Sequence, residues 1–264
     1  MLRCMGSGIG GEANMATQAE GRSGAPRAAV LFGRYPQLGS CKTRLAASLG
    51  DSDTLLFYQA LLADTARKLD RLPDTRLFGV LAFPGERAEV PADPLGGSPF
   101  SHFELVPQPA ASFGDRLAFA MQWPLAHGFS PAILLSADSP EIRQEDLQAA
   151  FEHLGSSDVV LGPAEDGGYY LIGMNRFHPE LFQGITWSTD RVARETAEVA
   201  ARLGLSFARV GRCHDVDFLD DLSALARRRA ASPDDRCPAT DAWLEGRLPG
   251  QSRRRVGPDG GMLQ

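Results

Sequence analysis

The chain has 264 residues, room for one large α/β domain or at most two small ones. Its formal net charge of -6 argues against nonspecific nucleic-acid binding, which needs cations to neutralise phosphates, yet leaves room for a local cationic pocket. No apolar run is long enough to cross a bilayer, and Cys4, Cys41, Cys213 and Cys237 form no CxxC pair or Cys/His cluster, so neither a zinc site nor a disulfide framework is expected and a reducing cytoplasm is.

Residues 1–27 are rich in Gly, Ser and Ala and lack the apolar core of a secretory signal; they read as a disordered extension, with Met15 a candidate true start. Ala28–Phe32 (AAVLF) is a short continuous apolar run, as in a buried parallel strand. Leu45–Leu49 and Thr54–Leu69 have helical spacing, the second placing Leu55, Tyr58, Leu62, Thr65 and Leu69 on one face. Arg76–Phe83 predicts a second strand, followed by a Pro/Gly-rich loop from Pro84 to Pro99. His102–Val106 predicts a third strand, and Phe113–Trp123 a helix that Pro124 would end. Ala132–Ser136 (AILLS) reads as a fourth, buried strand, with Pro140 opening the way to a helix over Gln144–Leu154. Asp158–Leu161, Tyr169–Ile172 and Ser206–Val210 read as strands, Thr189–Leu203 as a long amphipathic helix and Asp220–Arg229 as the last regular helix. One folded domain is expected over 28–245, with a second disordered tail over 246–264 that includes the Arg253–Arg255 run. Alternating strands and helices predict a mostly parallel sheet with helices on both faces, whose ligands bind outside the carboxyl ends of the strands.

Four stretches there could carry chemistry. In FGRYPQLGSCKTRL, Gly33 and Gly39 would allow close backbone approach, and Lys42, Thr43 and Arg44 arrive at a helix start, where an anion is favoured. The stretch has neither GxxxxGK[ST] nor GxGxxG, and a solvated helix start is the plain alternative. In LLSADSP, Asp138 lies just past a buried strand, placed to hold a divalent cation or, with Ser139, to cap a helix. GPAEDGGYYLIG puts Glu165, Asp166, Gly167, Gly168 and Tyr169 together, either as a hairpin turn or as the wall of a sugar or acceptor pocket. In HDVDFLDDL, Asp215 and Asp217 alternate on an extended stretch, so both face one way and favour a metal between them; capping of the next helix by Asp217 is the alternative, and His214 reads as a bystander.

With FQGITWST, these motifs in this order resemble the bacterial glycosyltransferase-like family of the nucleotide-diphospho-sugar transferase superfamily, commonly labelled arsenosugar-biosynthesis glycosyltransferases. The likeness covers about Ala28 to Arg229. It implies the GT-A, Rossmann-like fold with a single mostly parallel sheet. It also implies that Lys42 and Arg44 bind nucleotide phosphates. Asp138 and Asp217, with Asp215 beside them, would hold Mg²⁺ or Mn²⁺. Asp166, Gly167 and Gly168 would line the acceptor or sugar pocket, flanked by Trp187, Ser188 and Thr189 from the start of the long helix. Gly114 and Arg116 match a segment of the family pattern, but Ser112 and Phe113 replace the acid and leucine before that glycine.

Two chemistries follow. In sugar transfer, a nucleotide sugar binds with the metal, Lys42 and the metal stabilise the departing nucleoside diphosphate, and Asp166 or Glu165 is the candidate base for a small-molecule acceptor. In nucleotidylyl transfer, an NTP loses pyrophosphate to a phosphorylated acceptor; the Lys-Thr-Arg and Asp-Ser-Pro segments also resemble 2-phospholactate guanylyltransferase, and SADSP lacks the Asp-x-Asp common in GT-A sugar transferases. A non-catalytic nucleotide-binding module is the third reading. None requires nucleic acid or a membrane.

Overall fold

The computed structural model describes residues 26–83, 100–231, 234 and 236–247. The expectations for the two chain ends and for the Pro84–Pro99 loop lie outside these residues.

Among the described residues, seven strands form one sheet in the order β3-β2-β1-β4-β6-β5-β7. They are β1 (Arg27–Arg34), β2 (Thr75–Ala82), β3 (Phe103–Pro107), β4 (Ala132–Ser136), β5 (Val159–Pro163), β6 (Tyr169–Met174) and β7 (Phe207–Arg209). All pairings are parallel except those of β6, which runs antiparallel to both β4 and β5. The helices are α1 (Thr43–Leu49), α2 (Asp51–Asp70), α3 (Phe113–Ala126), α4 (Gln144–His153), α5 (Val192–Arg202), α6 (Leu219–Ala231) and α7 (Pro238–Arg247), with a 3₁₀ turn at Pro179–Phe182.

Central strands read as continuous apolar runs because both sheet faces are covered. Along β1, Ala29 and Leu31 join a core with Phe57, Leu61 and Leu135, while Ala28, Val30 and Phe32 join one with Met121, Leu134 and Ile172. Burying the Val, Leu, Ile, Phe and Met side chains among them contributes about 1.5–3 kcal/mol each. From β1 the chain moves outward through β2 to β3, then returns to place β4 on the other side of β1. The crevice at that reversal lies outside the carboxyl ends of β1 and β4, where open α/β sheets bind ligands.

Several local expectations need correction. Pro124 does not end α3 but lies buried inside its last turn. A proline removes its own N–H bond and crowds the carbonyl four residues back, but only two helical residues follow it, and the end is closed by the His127 N–H, which donates to the Trp123 and Pro124 carbonyls. The helix expected from Thr189 begins only at Val192, so Trp187, Ser188 and Thr189 lie in a turn before it. There Ser188 has φ 63° and the Thr189 hydroxyl donates to the Thr186 carbonyl. α4 begins at Gln144 as expected, but Pro140 does not open it and instead begins a separate turn. Asp220–Arg229 is not the last helix, since α7 follows; Asp64 on α2 accepts its first N–H groups, those of Ala239 and Thr240.

Candidate active site

A cleft of about 970 Å³ opens at the β1/β4 reversal. It is lined by Gly33, Lys42, Thr43, Arg44 and Arg116 from the expected phosphate-binding set and by Asp138, Asp215 and Asp217 from the expected metal set. Glu165, Asp166, Gly168, Tyr169, Trp187, Ser188 and Thr189 line it too. Three expected glycines do not reach it. Gly39 (φ 73°) serves the turn in which the Ser40 N–H donates to the Gln37 carbonyl. A Cβ on Gly114 would come 2.5 Å from Trp187 Nε1, so Gly114 makes room for the tryptophan rather than for a ligand. Gly167 (φ 87°) lets the β5–β6 hairpin close on Asp190, whose carbonyl oxygen would lie 2.1 Å from an added Cβ.

Lys42 stands at the centre. It caps α1 with φ 46° and ψ 46°, a left-handed conformation costing a non-glycine residue about 1–3 kcal/mol. That backbone turns the side chain under the sheet edge, where it is 4% exposed. Nζ lies 2.6 Å from Asp138 Oδ1 and 2.9 Å from Asp217 Oδ1. Burial alone would lower the pKa of the ammonium, but Asp138 and Asp217 outweigh it and the net shift is upward. For Asp217, burial would raise the carboxyl, yet Lys42 and Arg44, whose Nη1 is 3.3 Å from Oδ2, hold it below its usual range. The helix-start expectation needs adjusting accordingly: α1 has only seven residues, and the cationic character here belongs to side chains.

Asp215 and Asp217 face the same cleft while Val216 between them is fully buried, as extended alternation requires. Asp215 Oδ1 accepts from Ser139 Oγ at 3.1 Å, and burial, then Asp166 and Asp138, push its carboxyl up to about 7. Neither Asp138 nor Ser139 caps α4, and Asp217 does not cap α6. Asp221 Oδ2 instead accepts the N–H groups of Asp217 and Phe218, which leaves the Asp217 carboxylate for Lys42 and Arg44. Behind the loop, buried Lys68 donates to the Pro140 carbonyl, and the Val216 N–H donates to the Asp138 carbonyl, so both acid-bearing segments are pinned.

These residues fit a divalent cation in one respect. Asp138 and Asp217 direct oxygens at a single point, and Mg²⁺ is commonly held by one or two carboxylates completed by water and substrate phosphates. That point is where the Lys42 ammonium sits. Among the described residues no three His, Cys, Asp or Glu side chains converge as a ready-made metal site.

The sequence reading missed several residues lining this cleft. Tyr58, counted as a core position, exchanges hydrogen bonds with the Arg34 backbone and braces the end of β1. Gln108 donates to the Gly33 and Val80 carbonyls, and its Oε1 accepts from Arg116 Nη1 at 3.2 Å. Arg34, the polar last residue of an apolar strand, carried the one signal that could have found it. Ser112 caps α3 by accepting the Asp115 N–H, and Phe113 packs edge-on against Trp187 at 5.4 Å, which accounts locally for the two departures from the family pattern. The β5–β6 segment is both a hairpin and a cleft wall, so its two readings coexist.

A family model described as an uncharacterized protein conserved in bacteria (DUF2064) matches residues 79–189, a stretch holding Asp138, Asp166 and Trp187 but not Lys42 or Asp217. Over 205 residues, 75% of this chain and 92% of the relative, the chain is 28% identical to a 2-phospho-L-lactate guanylyltransferase of Methanopyrus kandleri. It is similar, with a TM-score of 0.70 and 29% identity over 83% of this chain and 97% of the other, to a Desulfovibrio desulfuricans G20 protein provisionally described as a nucleotide-diphospho-sugar transferase. An inositol-1-phosphate CTP transferase from T. maritima shares the fold with a TM-score of 0.51 and 14% identity, over 84% and 98% of the two chains. The fold is therefore the Rossmann-like one of nucleotide-diphospho-sugar transferases and nucleotidyltransferases, and these similar proteins are transferases. Among the described residues no helix is long and apolar enough to cross a membrane.

Proposed function

We propose that this chain is a metal-dependent transferase that binds a nucleotide donor in the cleft and moves its sugar to a small acceptor. The observation that carries the reading is the meeting, at one point, of two carboxylates and a buried lysine between a cationic and an acidic half of the cleft. Arg34, Arg44 and Arg116 give the nucleotide half its charge, with Lys42 available to the phosphates once it leaves the acids. Asp138 and Asp217 would hold Mg²⁺ or Mn²⁺, which when bound neutralises charge on the departing diphosphate. Asp166, at the acceptor wall, is the candidate base, with Glu165 held 3.2 Å from Arg212 and less free to take a proton.

Nucleotidylyl transfer from an NTP is the second reading. The likeness to the guanylyltransferase favours it, as does the single Asp of SADSP. Neither the site nor the similar proteins support the narrower expectation of arsenosugar biosynthesis, and the cytoplasmic location stays an expectation from cysteine usage. A thermal-shift panel of NTPs, NDPs and NDP-sugars, each with Mg²⁺ and with EDTA, tests the proposal. Metal-dependent stabilisation by an NDP-sugar beyond that of any NTP supports sugar transfer. Preference for an NTP moves the assignment to nucleotidylyl transfer, and no nucleotide-dependent shift refutes both.

A further inference from the structure

The charges in the cleft are sorted by the order of the strands. Its arginines come from the β1 side: Arg34 ends β1, Arg44 lies in α1, and Arg116 lies in α3, which follows β3. Beyond β4 the lining turns acidic: Asp166 from the β5–β6 hairpin, Asp190 from the turn before α5 and Asp215 after β7. No Lys or Arg lines that half among the described residues. The nearby cations are already committed, Arg212 to Glu165 at 3.2 Å and Arg191 to Glu195 at 3.6 Å. A divalent cation held by Asp138 and Asp217 would neutralise those two and leave Asp166 and Asp190 with no cationic partner among the described residues, beside Asp215, whose Oδ1 accepts from Ser139.

The same half has an aromatic and hydroxylic wall. Trp187 packs edge-on against Phe113 and Tyr169, fixing its ring at the cleft surface. The Tyr169 hydroxyl is buried without a hydrogen-bond partner, and Ser188 also lines the cleft. Carboxylates accept hydrogen bonds from hydroxyls, and an aromatic face covers the C–H side of a polyol ring. A phosphate or carboxylate brought here would meet the like charges of Asp166 and Asp190, to which neither His214 at the cleft wall nor Arg116, 5.7 Å from the Phe113 ring, is paired.

Resting on the transferase reading above, we propose that the acceptor is an uncharged polyol and that the β4–β7 half of the cleft discriminates against phosphorylated or carboxylated acids. This inference sides with sugar transfer over the nucleotidylyl transfer to a phosphorylated acceptor set out above. It also separates this chain from its guanylyltransferase relative, whose name records a phosphorylated acid.

Matched pairs of probes test it in the full chain loaded with Mg²⁺ and the best nucleotide of the thermal-shift panel. The pairs are glucose and glucose 6-phosphate, myo-inositol and inositol 1-phosphate, and glycerol and glycerol 3-phosphate, read by saturation-transfer NMR. At least one free polyol is expected to receive saturation, with its phosphorylated partner weaker by on the order of 100-fold. Asp190→Asn should narrow that gap and Trp187→Ala should abolish the polyol signal, the nucleotide-induced thermal shift serving as the check on folding. A phosphorylated member binding as well as its free partner overturns the inference, as does binding of no free polyol up to its solubility. Loss of the nucleotide-induced shift in the wild-type chain would instead sink the transferase reading, so the two failures are distinguishable.

Discussion

Replacing Lys42 by methionine should separate two things that the side chain does in opposite directions. In the nucleotide-free protein its ammonium occupies the point on which Asp138 and Asp217 converge, so a metal must displace it. Two charge-assisted hydrogen bonds at about 1.5–3 kcal/mol each set an upper bound of about 3–6 kcal/mol on that competition. Both acids are about two-fifths exposed, 43% and 39%, and the displaced ammonium regains water. Discounted for that screening, about 1.4–2.8 kcal/mol remains, a 10- to 100-fold gain in metal affinity for Lys42→Met. Mn²⁺ titration followed by electron paramagnetic resonance measures it without any turnover. Nucleotide affinity should move the other way, falling by about 1.5–3 kcal/mol if the displaced ammonium is handed to phosphate. Mn²⁺ affinity that is unchanged or weaker in the nucleotide-free variant would refute the idea that lysine and metal share one place.

Three further outcomes are expected. Asp138→Asn should abolish turnover and the Mg²⁺-dependent part of the nucleotide-induced thermal shift; retention of that part would remove Asp138 from the metal set. Gly167→Ala forces a side chain to φ 87° and against the Asp190 backbone, so unfolding titrations should show a loss of at least about 1–3 kcal/mol. Glu195 accepts the Thr186 N–H and hydroxyl at 2.7 and 3.2 Å, bonds that, beginning with the one from the N–H, hold its carboxyl below the usual range despite some desolvation. Its support of the Trp187 turn should therefore be complete above the ordinary carboxylate pKa and be lost as pH falls through the lower folded value. Fluorescence of a variant keeping only Trp187 should report that acid transition, and Glu195→Gln should remove it.

The framework was legible because its signals are local. β4 occupies Ala132–Ser136 as the apolar run AILLS requires, and Asp138 follows it at the carboxyl edge. Where a signal was local but misweighted, the error can be traced. Pro124 was read as a stop although the helix runs two residues past it, and α7 was missed although Pro238 stands at its first position, where proline is favoured. The antiparallel course of β6 was open to view in the Asp166-Gly167-Gly168 turn, since a short hairpin can join only antiparallel neighbours.

What no local pattern contained is the pairing that organises the site. Lys42 and Asp217 are 175 positions apart, and neither neighbourhood announces the other. Each had a bland local explanation: a lysine at a helix start, an aspartate before a helix. The choice was made by a third residue. Because Asp221 reaches back to the N–H groups of Asp217 and Phe218, the cap of α6 is supplied from inside the helix, and the Asp217 carboxylate is released toward the cleft. The turn into α6 and the charge pair are thus one arrangement. An Asp221→Ala change should then disturb the site through Asp217, either drawing that carboxylate back to its own helix start or freeing it to move. Mn²⁺ affinity would weaken in either case, and Mn²⁺ affinity equal to that of the unaltered chain would show that Asp221 does not set the Asp217 carboxylate.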